Sequence, residues 1–310
     1  MNPSPEAVQR SYEFCRRMSR RAGSSFYWGF RLLPGEKRRA MHALYAWMRH
    51  TDDLADRPAV LGPASRAGAL TAWRTLVSRA LSGDFAAVND EPEQLQAGGS
   101  RLLPALTDTV RRFGIPHEHL LAVIDGVEMD LAGQRYETFD DLRPYCERVA
   151  SAVGLACIHV WGFRGPDALR PARSAGIALQ LTNILRDVRE DVQADRVYLP
   201  LADLRLCGYS VDDLRAGVYD ERFHRLMTLE IARAEAFYRD SLELMEWLEP
   251  DGRRIFGFVM STYHELLGCI ARRPDRVLYG RVHLGWPKRL QLATRWAVWP
   301  LRLWPRIEHR

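Results

Sequence analysis

Residues 172–192 read ARSAGIALQLTNILRDVREDV. Ile177, Leu181, Ile184, Leu185 and Val188 recur at the three-and-four spacing of one helical face. Asn183, Asp187 and Asp191 recur every four residues, so on that helix three oxygen-bearing side chains stack in a stripe, with Gln180 one turn earlier. The acidic stripe therefore runs along the edge of an apolar face and not out in open solvent. Working outward, residues 35–57 (GEKRRAMHALYAWMRHTDDLADR) repeat the pattern, with Met41, Leu44, Tyr45 and Met48 on one face. Residues 222–248 and 254–271 are further long helix candidates, whereas LACIHVWG at 155–162 fits either a short strand or a buried helix. Convincing alternating strands are absent. Pro34-Gly35, Gly165-Pro166 and Pro250-Asp251-Gly252 punctuate a chain whose pieces have helical length. The expectation is an all-α domain over 1–290 and a basic, Trp/Arg-rich tail over 291–310.

Composition narrows the class. The chain has 310 residues, 47% hydrophobic and 27% charged, which excludes disordered and fibrous proteins. A chain this long can bury a deep apolar cavity and remain stable. Its five cysteines are scattered, odd in number and free of CxxC pairs, so neither a disulfide framework nor a zinc site is suggested and a reducing compartment is the simplest reading. The N-terminal stretch lacks the apolar run of a secretory signal, and no uncharged apolar window reaches the roughly 18 residues of a spanning helix. Cytoplasmic localisation is expected. The net charge of +5 is distributed over Arg16, Arg17, Arg20 and Arg21, over Lys37, Arg38 and Arg39, and over the tail. No zinc-finger, RNP-like or basic-heptad pattern accompanies it, so nucleic acid is not an expected partner.

The second acidic element is His50-Thr51-Asp52-Asp53-Leu54-Ala55-Asp56. Asp52 and Asp56, one helical turn apart, repel each other by about 0.2–0.5 kcal/mol in a bare helix. A bound divalent cation reverses that sign; Mg²⁺ favours carboxylate oxygens and is commonly shared with substrate phosphates. Either element alone also suits a solvated helix end. Together, about 135 residues apart, they can face each other across a bundle, hold metal ions and clamp a diphosphate. Metals stabilise charge on a departing pyrophosphate, and an apolar, dry cavity protects the allylic cation left behind.

At this point the residues resemble a known family, the squalene/phytoene synthases, which join prenyl diphosphates head to head. Ser25-Phe26 followed by Leu32-Leu33-Pro34 is similar to the family's N-terminal element, although Ala22-Gly23-Ser24 stand where a basic or hydroxyl residue is common. Ala43-Leu44-Tyr45-Ala46 through Asp56 resembles the first aspartate motif. Tyr145-Cys146, Val149-Ala150 and Val153-Gly154 resemble the YC…VA..VG signature. Gln180 to Asp191 with Asp195-Arg196-Val197-Tyr198-Leu199-Pro200 resembles the second aspartate motif and its trailing RxYLP. The resemblance covers roughly 10–290 and is weak over 60–115.

The resemblance implies an isoprenoid-synthase-type helical bundle with a central apolar cavity. It also implies a two-step reaction: two prenyl diphosphates condense to a cyclopropylcarbinyl diphosphate, which then ionises and rearranges to a linear hydrocarbon. It assigns Asp52, Asp56, Asn183, Asp187 and Asp191 to Mg²⁺, with Mn²⁺ as a substitute. Arg49, Arg196 and Arg281, with Ser25, Gln180 and Asn183, are assigned to substrate, the guanidiniums suiting phosphate oxygens. Tyr145 and Tyr263 are assigned to the reacting centre with Arg49, Asp52 and Asp187. Phe26, Tyr45, Val149, Ala150, Val153, Gly154 and Leu181 would line the tunnel, although Tyr45 and Tyr145 also suit plain core packing. Asp125 and Asp130 lie in DGVEMDL, a run that the family also tends to carry, and of the two Asp130 is the candidate for a supporting or substrate-pocket role.

A phytoene synthase using geranylgeranyl diphosphate is the favoured reading. A presqualene diphosphate or squalene synthase using farnesyl diphosphate is the alternative, and only squalene requires NADPH. A non-catalytic homologue acting as an assembly factor and a class I terpene cyclase are the other classes weighed; the retained aspartates disfavour the first and the motif spacing the second. Trp286, Trp296, Trp299 and Trp304 among the C-terminal arginines suit either peripheral contact at the inner face of the membrane or plain cover for the bundle. A downstream isoprenoid enzyme is a further potential partner.

Overall fold

The computed structural model describes residues 3–22, 25–56, 63–85 and 99–298; of these, the side chains at 25, 26, 56, 63–65 and 298 are outside the description. Helices account for nearly all regular structure among the described residues, and the single β-bridge joins Phe163 and Leu248. The segment at 155–162, open between strand and helix on sequence, is helical. In chain order the helices are α1 (Pro5–Arg21), α2 (Ser25–Gly29), α3 (Gly35–Asp56), α4 (Pro63–Leu81), α5 (Gly99–Phe113), α6 (His117–Leu131), α7 (Phe139–Cys146), α8 (Ala152–Trp161), α9 (Leu169–Arg186), α10 (Val188–Gln193), α11 (Leu201–Leu206), α12 (Val211–Ala216), α13 (Glu221–Ser241), α14 (Leu244–Trp247), α15 (Pro250–Arg272) and α16 (Trp286–Val298).

Local chemistry starts these helices where they start. Ser4 caps α1, its hydroxyl accepting from the Ala7 N–H at 3.2 Å, and Pro5 follows at the first helical position. Thr138 with Asp141, and Ser210 with Asp213, form reciprocal capping boxes on α7 and α12. The helix expected over 172–192 is interrupted at Asp187, whose backbone (φ −103°, ψ 10°) separates α9 from α10. The interruption does not scatter the acidic stripe. Asp187 N–H still donates to the Asn183 carbonyl at 3.0 Å and Asp191 N–H to the Asp187 carbonyl at 2.9 Å, so the three side chains keep the four-residue register.

The helices α3, α6, α8, α9 and α15 stand around the molecular axis and turn apolar faces inward, while α1, α4, α5 and α13 pack outside them. Between α7 and α8 the chain makes a π-helical turn at Glu147–Ser151. Such a turn adds a residue to the helical ladder and re-aims the side chains beyond it. It fits because α9 presents Gly176 there: a Cβ at 176 would overlap the Ser151 backbone. The same principle seats α16 on α15, where the Trp296 indole lies over Gly257, is 1% exposed and donates from Nε1 to Ser261 Oγ at 3.0 Å. The tail division expected at residue 290 thus falls inside α16, whose Leu292 and Trp296 are buried. Trp299 and Trp304 lie outside the described residues.

Because the Gly176 contact is to backbone and not to a flexible side chain, Gly176→Ala should destabilise the fold by about 1–3 kcal/mol. A shift of the urea midpoint at unchanged slope would report it; an unchanged midpoint would mean that the π-turn can move aside.

Candidate active site

The five inward-facing helices enclose one elongated cavity of about 460 Å³. Along α6 its lining takes His119, Val123, Val127 and Asp130, so it runs down the helix for roughly 16 Å at 1.5 Å per residue. Each wall shows the same gradient. On α3 the lining passes from Met41 and Leu44 through Tyr45 and Met48 to Arg49 and Asp52. On α9 it passes from Ala172 and Ala175 through Leu179 and Gln180 to Asn183 and Asp187, and on α15 from Phe256 through Val259 and Met260 to Tyr263. Apart from His119 on α6, the deep end is apolar, and the mouth is charged. Leu181, expected along the tunnel, is 2% exposed within the core; Leu179 faces the cavity instead.

Most residues singled out on sequence converge here. Tyr45, Arg49, Asp52, Tyr145, Val149, Ala150, Val153, Gly154, Gln180, Asn183, Asp187, Asp191, Arg196 and Tyr263 line this single cavity. Arg281 is not part of the lining, but from the segment leading to α16 it forms an ion pair with Asp187, its Nε 3.0 Å from Oδ1. The side chains of Ser25, Phe26 and Asp56 lie outside the described residues.

The electrostatics of the mouth favour a cation. The Asp191 carboxyl is pushed up to about 7 by burial and then by the neighbouring Asp187 carboxylate, against the pull of Arg196. Asn183 Oδ1 is buried with no hydrogen-bond partner, while its Nδ2 is given to Gln180 Oε1 at 3.3 Å. A buried carbonyl oxygen without a donor costs roughly 1–3 kcal/mol, so its orientation into an acidic mouth suits a ligand that accepts oxygen. Among the described residues no group of three or more His, Cys, Asp and Glu side chains forms a ready-made metal cage. The carboxylates are instead carried on two walls, Asp52 on α3 and Asp187 with Asp191 at the α9–α10 junction. This donor set, all hard oxygen, fits Mg²⁺ better than a softer metal.

The arginines are held, not loose. Arg49 pairs with Asp53 at 2.7 Å on the outer edge of α3. Arg186 donates from Nε to Asp187 Oδ1 at 2.7 Å and also hydrogen-bonds the Tyr263 hydroxyl, which burial pushes up. Arg186 went unnoticed on sequence, because a residue beside Asp187 points elsewhere on an ideal helix; the break at Asp187 lets it fold back. Also missed was Tyr198, whose ring stacks on Tyr145 with centroids 5.1 Å apart and whose hydroxyl donates to Asp130 at 2.7 Å. The Tyr145 hydroxyl donates to the other oxygen of Asp130 at 3.1 Å. The RxYLP run that places Tyr198 beside Arg196 was the available signal.

Comparison with known proteins agrees with this geometry. The family model described as squalene/phytoene synthase matches residues 19–288. The chain belongs to the squalene/phytoene synthase family. It is 37% identical over 303 residues to a phytoene synthase of Arthrospira platensis, covering 93% of each chain, and 36% identical over 305 residues to a 15-cis-phytoene synthase of a Synechocystis species, covering 93% of this chain and 86% of that one. Among solved structures it is similar to a dehydrosqualene synthase, with a TM-score of 0.79, 26% identity and coverage of 94% and 96%. As a squalene/phytoene synthase family member it is a transferase, and the all-α bundle with its central cavity is the expected frame.

Asp191→Asn should separate stability from activity. The wild-type carboxyl is neutral well below pH 7 and charged above it, so its burial penalty grows as pH rises from about 4 through about 7. In chelator at pH 8 the variant should unfold at a higher temperature than wild type, the gain vanishing near pH 4, while product formation is lost. A variant less stable than wild type at pH 8 would contradict this account of the mouth.

Proposed function

We propose that the chain is a phytoene synthase-type prenyltransferase that condenses two geranylgeranyl diphosphates, 1′ to 1, through a cyclopropylcarbinyl diphosphate to phytoene. The observation that carries this reading is the gradient along the cavity, an acidic mouth of Asp52, Asn183, Asp187 and Asp191 opening onto an apolar channel, in a chain 37% identical to a phytoene synthase.

The division of labour follows from that gradient. Asp52, Asp56, Asn183, Asp187 and Asp191 would hold Mg²⁺, which when bound supplies Lewis-acid stabilisation of the departing pyrophosphate. Arg49, Arg196 and Arg281, together with Arg186, lie close enough to the mouth to share the diphosphate oxygens, and planar guanidiniums suit them. Gln180, one turn inside Asn183, contacts the substrate where the charged region gives way to the apolar one. Ala150 in the π-turn and Val153 and Gly154 on α8 leave width for prenyl chains, with Val149 and Tyr45 as side walls. The deep apolar lining excludes water, which would otherwise capture the carbocation. Tyr145 and Tyr263 line the cavity at the level of the mouth, where an aromatic ring favours a cation through its quadrupole. The second half-reaction ends with proton loss and requires no reductant. A squalene synthase using farnesyl diphosphate shares the frame and is distinguished by product.

Incubation with geranylgeranyl or farnesyl diphosphate and Mg²⁺, with and without NADPH, followed by mass spectrometry of the hexane extract, should give a C40 hydrocarbon independent of NADPH. Asp52→Ala and Asp187→Ala should each reduce it by at least about 100-fold with helix content intact. A C30 product that needs NADPH would reassign the chain to the squalene branch, and full activity in both variants would remove the metal clamp.

Contact with a membrane surface is part of the same reading. No described helix is long and apolar enough to cross a bilayer. Trp28 is 55% exposed with the Arg31 guanidinium 4.9 Å from its ring, and α2 packs on α16, where Trp286 and Leu290 are also exposed. Exposed indoles beside cationic groups suit an anionic lipid interface. The full chain should sediment with anionic vesicles, and Trp28→Ser with Trp286→Ser should weaken this; equal sedimentation would reject the contact.

A further inference from the structure

Asp130 sits near the C-terminal end of α6, on the wall of the cavity, at the level of the charged mouth. Its two carboxylate oxygens are used separately: Oδ2 accepts from the Tyr145 hydroxyl at 3.1 Å and Oδ1 from the Tyr198 hydroxyl at 2.7 Å. Both tyrosines also line the cavity, and their rings stack on each other at 5.1 Å with an interplanar angle of 19°. Tyr136 extends the stack, its ring 6.4 Å from Tyr198 and 5.8 Å from Tyr145. Three segments far apart in sequence thus meet at one carboxylate: α6, the end of α7 just before the π-turn, and the loop after α10.

A phenol has one proton to give. With Asp130 accepting from both hydroxyls, and the two hydroxyls themselves in hydrogen-bond contact, neither tyrosine offers an O–H to the cavity. This matters for a carbocation in two ways. A hydroxyl free to rotate can anchor a water molecule inside the channel, and water captures the cation. A phenol hydrogen-bonded to a carboxylate is also polarised toward the phenolate, which makes its oxygen and ring face more attractive to positive charge. One acidic side chain on the wall therefore prepares two aromatic groups beside it.

We propose that Asp130 is a positioning residue for the carbocation chemistry, fixing the stacked Tyr145–Tyr198 pair on the cavity wall and drawing both hydroxyl protons out of the space where the cation forms. The inference deepens the prenyltransferase reading and rests on it. It also gives the DGVEMDL run a function through its second aspartate, Asp130, and not its first: Asp125 is paired with Arg74 on the outer side of α4 and α6.

The test uses the full-length enzyme with geranylgeranyl diphosphate and Mg²⁺ and follows kcat, KM and the ratio of water-captured prenyl alcohols to hydrocarbon. Asp130→Asn retains shape but replaces one acceptor oxygen by an NH2 donor, so one tyrosine hydroxyl loses its carboxylate partner and is no longer fixed away from the cavity. It should lower kcat by about tenfold or more at little change in KM and raise the alcohol fraction. In a Tyr145→Phe background it should cost less than about threefold further, because part of what Asp130 positions is already gone. Wild-type kcat and product ratio in Asp130→Asn, or losses that simply multiply in the double variant, would overturn the proposal. Tyr145→Phe and Tyr198→Phe remove one donor each and leave the carboxylate and the packing in place, so they carry the test even if Asp130→Asn folds poorly. Both should lower kcat without the rise in alcohols that Asp130→Asn gives, because neither leaves a hydroxyl facing the cavity; wild-type kcat in both, or an alcohol fraction raised as far as in Asp130→Asn, would overturn it equally. A wild-type enzyme that makes no hydrocarbon from either prenyl diphosphate would instead bring down the functional reading itself, whereas an active wild type matched by its variants would remove only the role of Asp130.

Discussion

Negative charge concentrated at the rim of an apolar hollow is the constraint around which this molecule is arranged. Carboxylates prefer water, and a channel that holds long hydrocarbon chains must exclude it. The two meet only where helices bring polar residues to the end of otherwise apolar faces. In this chain α3, α9 and α15 do so in concert, each passing from aliphatic or aromatic side chains at depth to Asp52, Asp187 or Tyr263 at the mouth. The buried Asn183 carbonyl without a partner and the raised Asp191 carboxyl are the cost of bringing oxygen-bearing side chains to the edge of an apolar space.

That cost is contained by arginine. Asp187 is gripped by Arg186 on its own helix and by Arg281 from a segment almost a hundred residues later, so the mouth is organised before any substrate arrives. The same guanidiniums are the natural donors to a diphosphate. Ligand entry then exchanges one set of charge-assisted hydrogen bonds for another, which disturbs the backbone little. Beside them the tyrosine stack and Asp130 solve a related problem, keeping the polar hydrogens of two wall tyrosines occupied.

The π-turn links these features to the fold. It follows Tyr145 directly and delivers Val149 and Ala150 to the cavity, and it can exist only because Gly176 lets α9 touch its backbone. The YC…VA..VG run and the glycine within ARSAGIALQ are thus two halves of one contact, although neither announces the other in the sequence. The tail is a comparable case. Trp296 and Trp286 belong to the same run of aromatic and basic residues, yet one is sealed over Gly257 and the other is 74% exposed.

By itself the sequence determined the helices and most of the mouth. Apolar periodicity is a local property, and Asp52 with Asp187 and Asp191 declares itself by four-residue spacing within single helical runs. Only the tertiary structure decided which aspartate anchors the tyrosines, that Arg186 turns back to grip Asp187, that Leu179 and not Leu181 faces the channel, and which tryptophan is buried. Those outcomes depend on a helix break, a π-turn and the crossing of helices from distant parts of the chain. Their geometry is fixed by packing between elements, which no spacing along one element encodes.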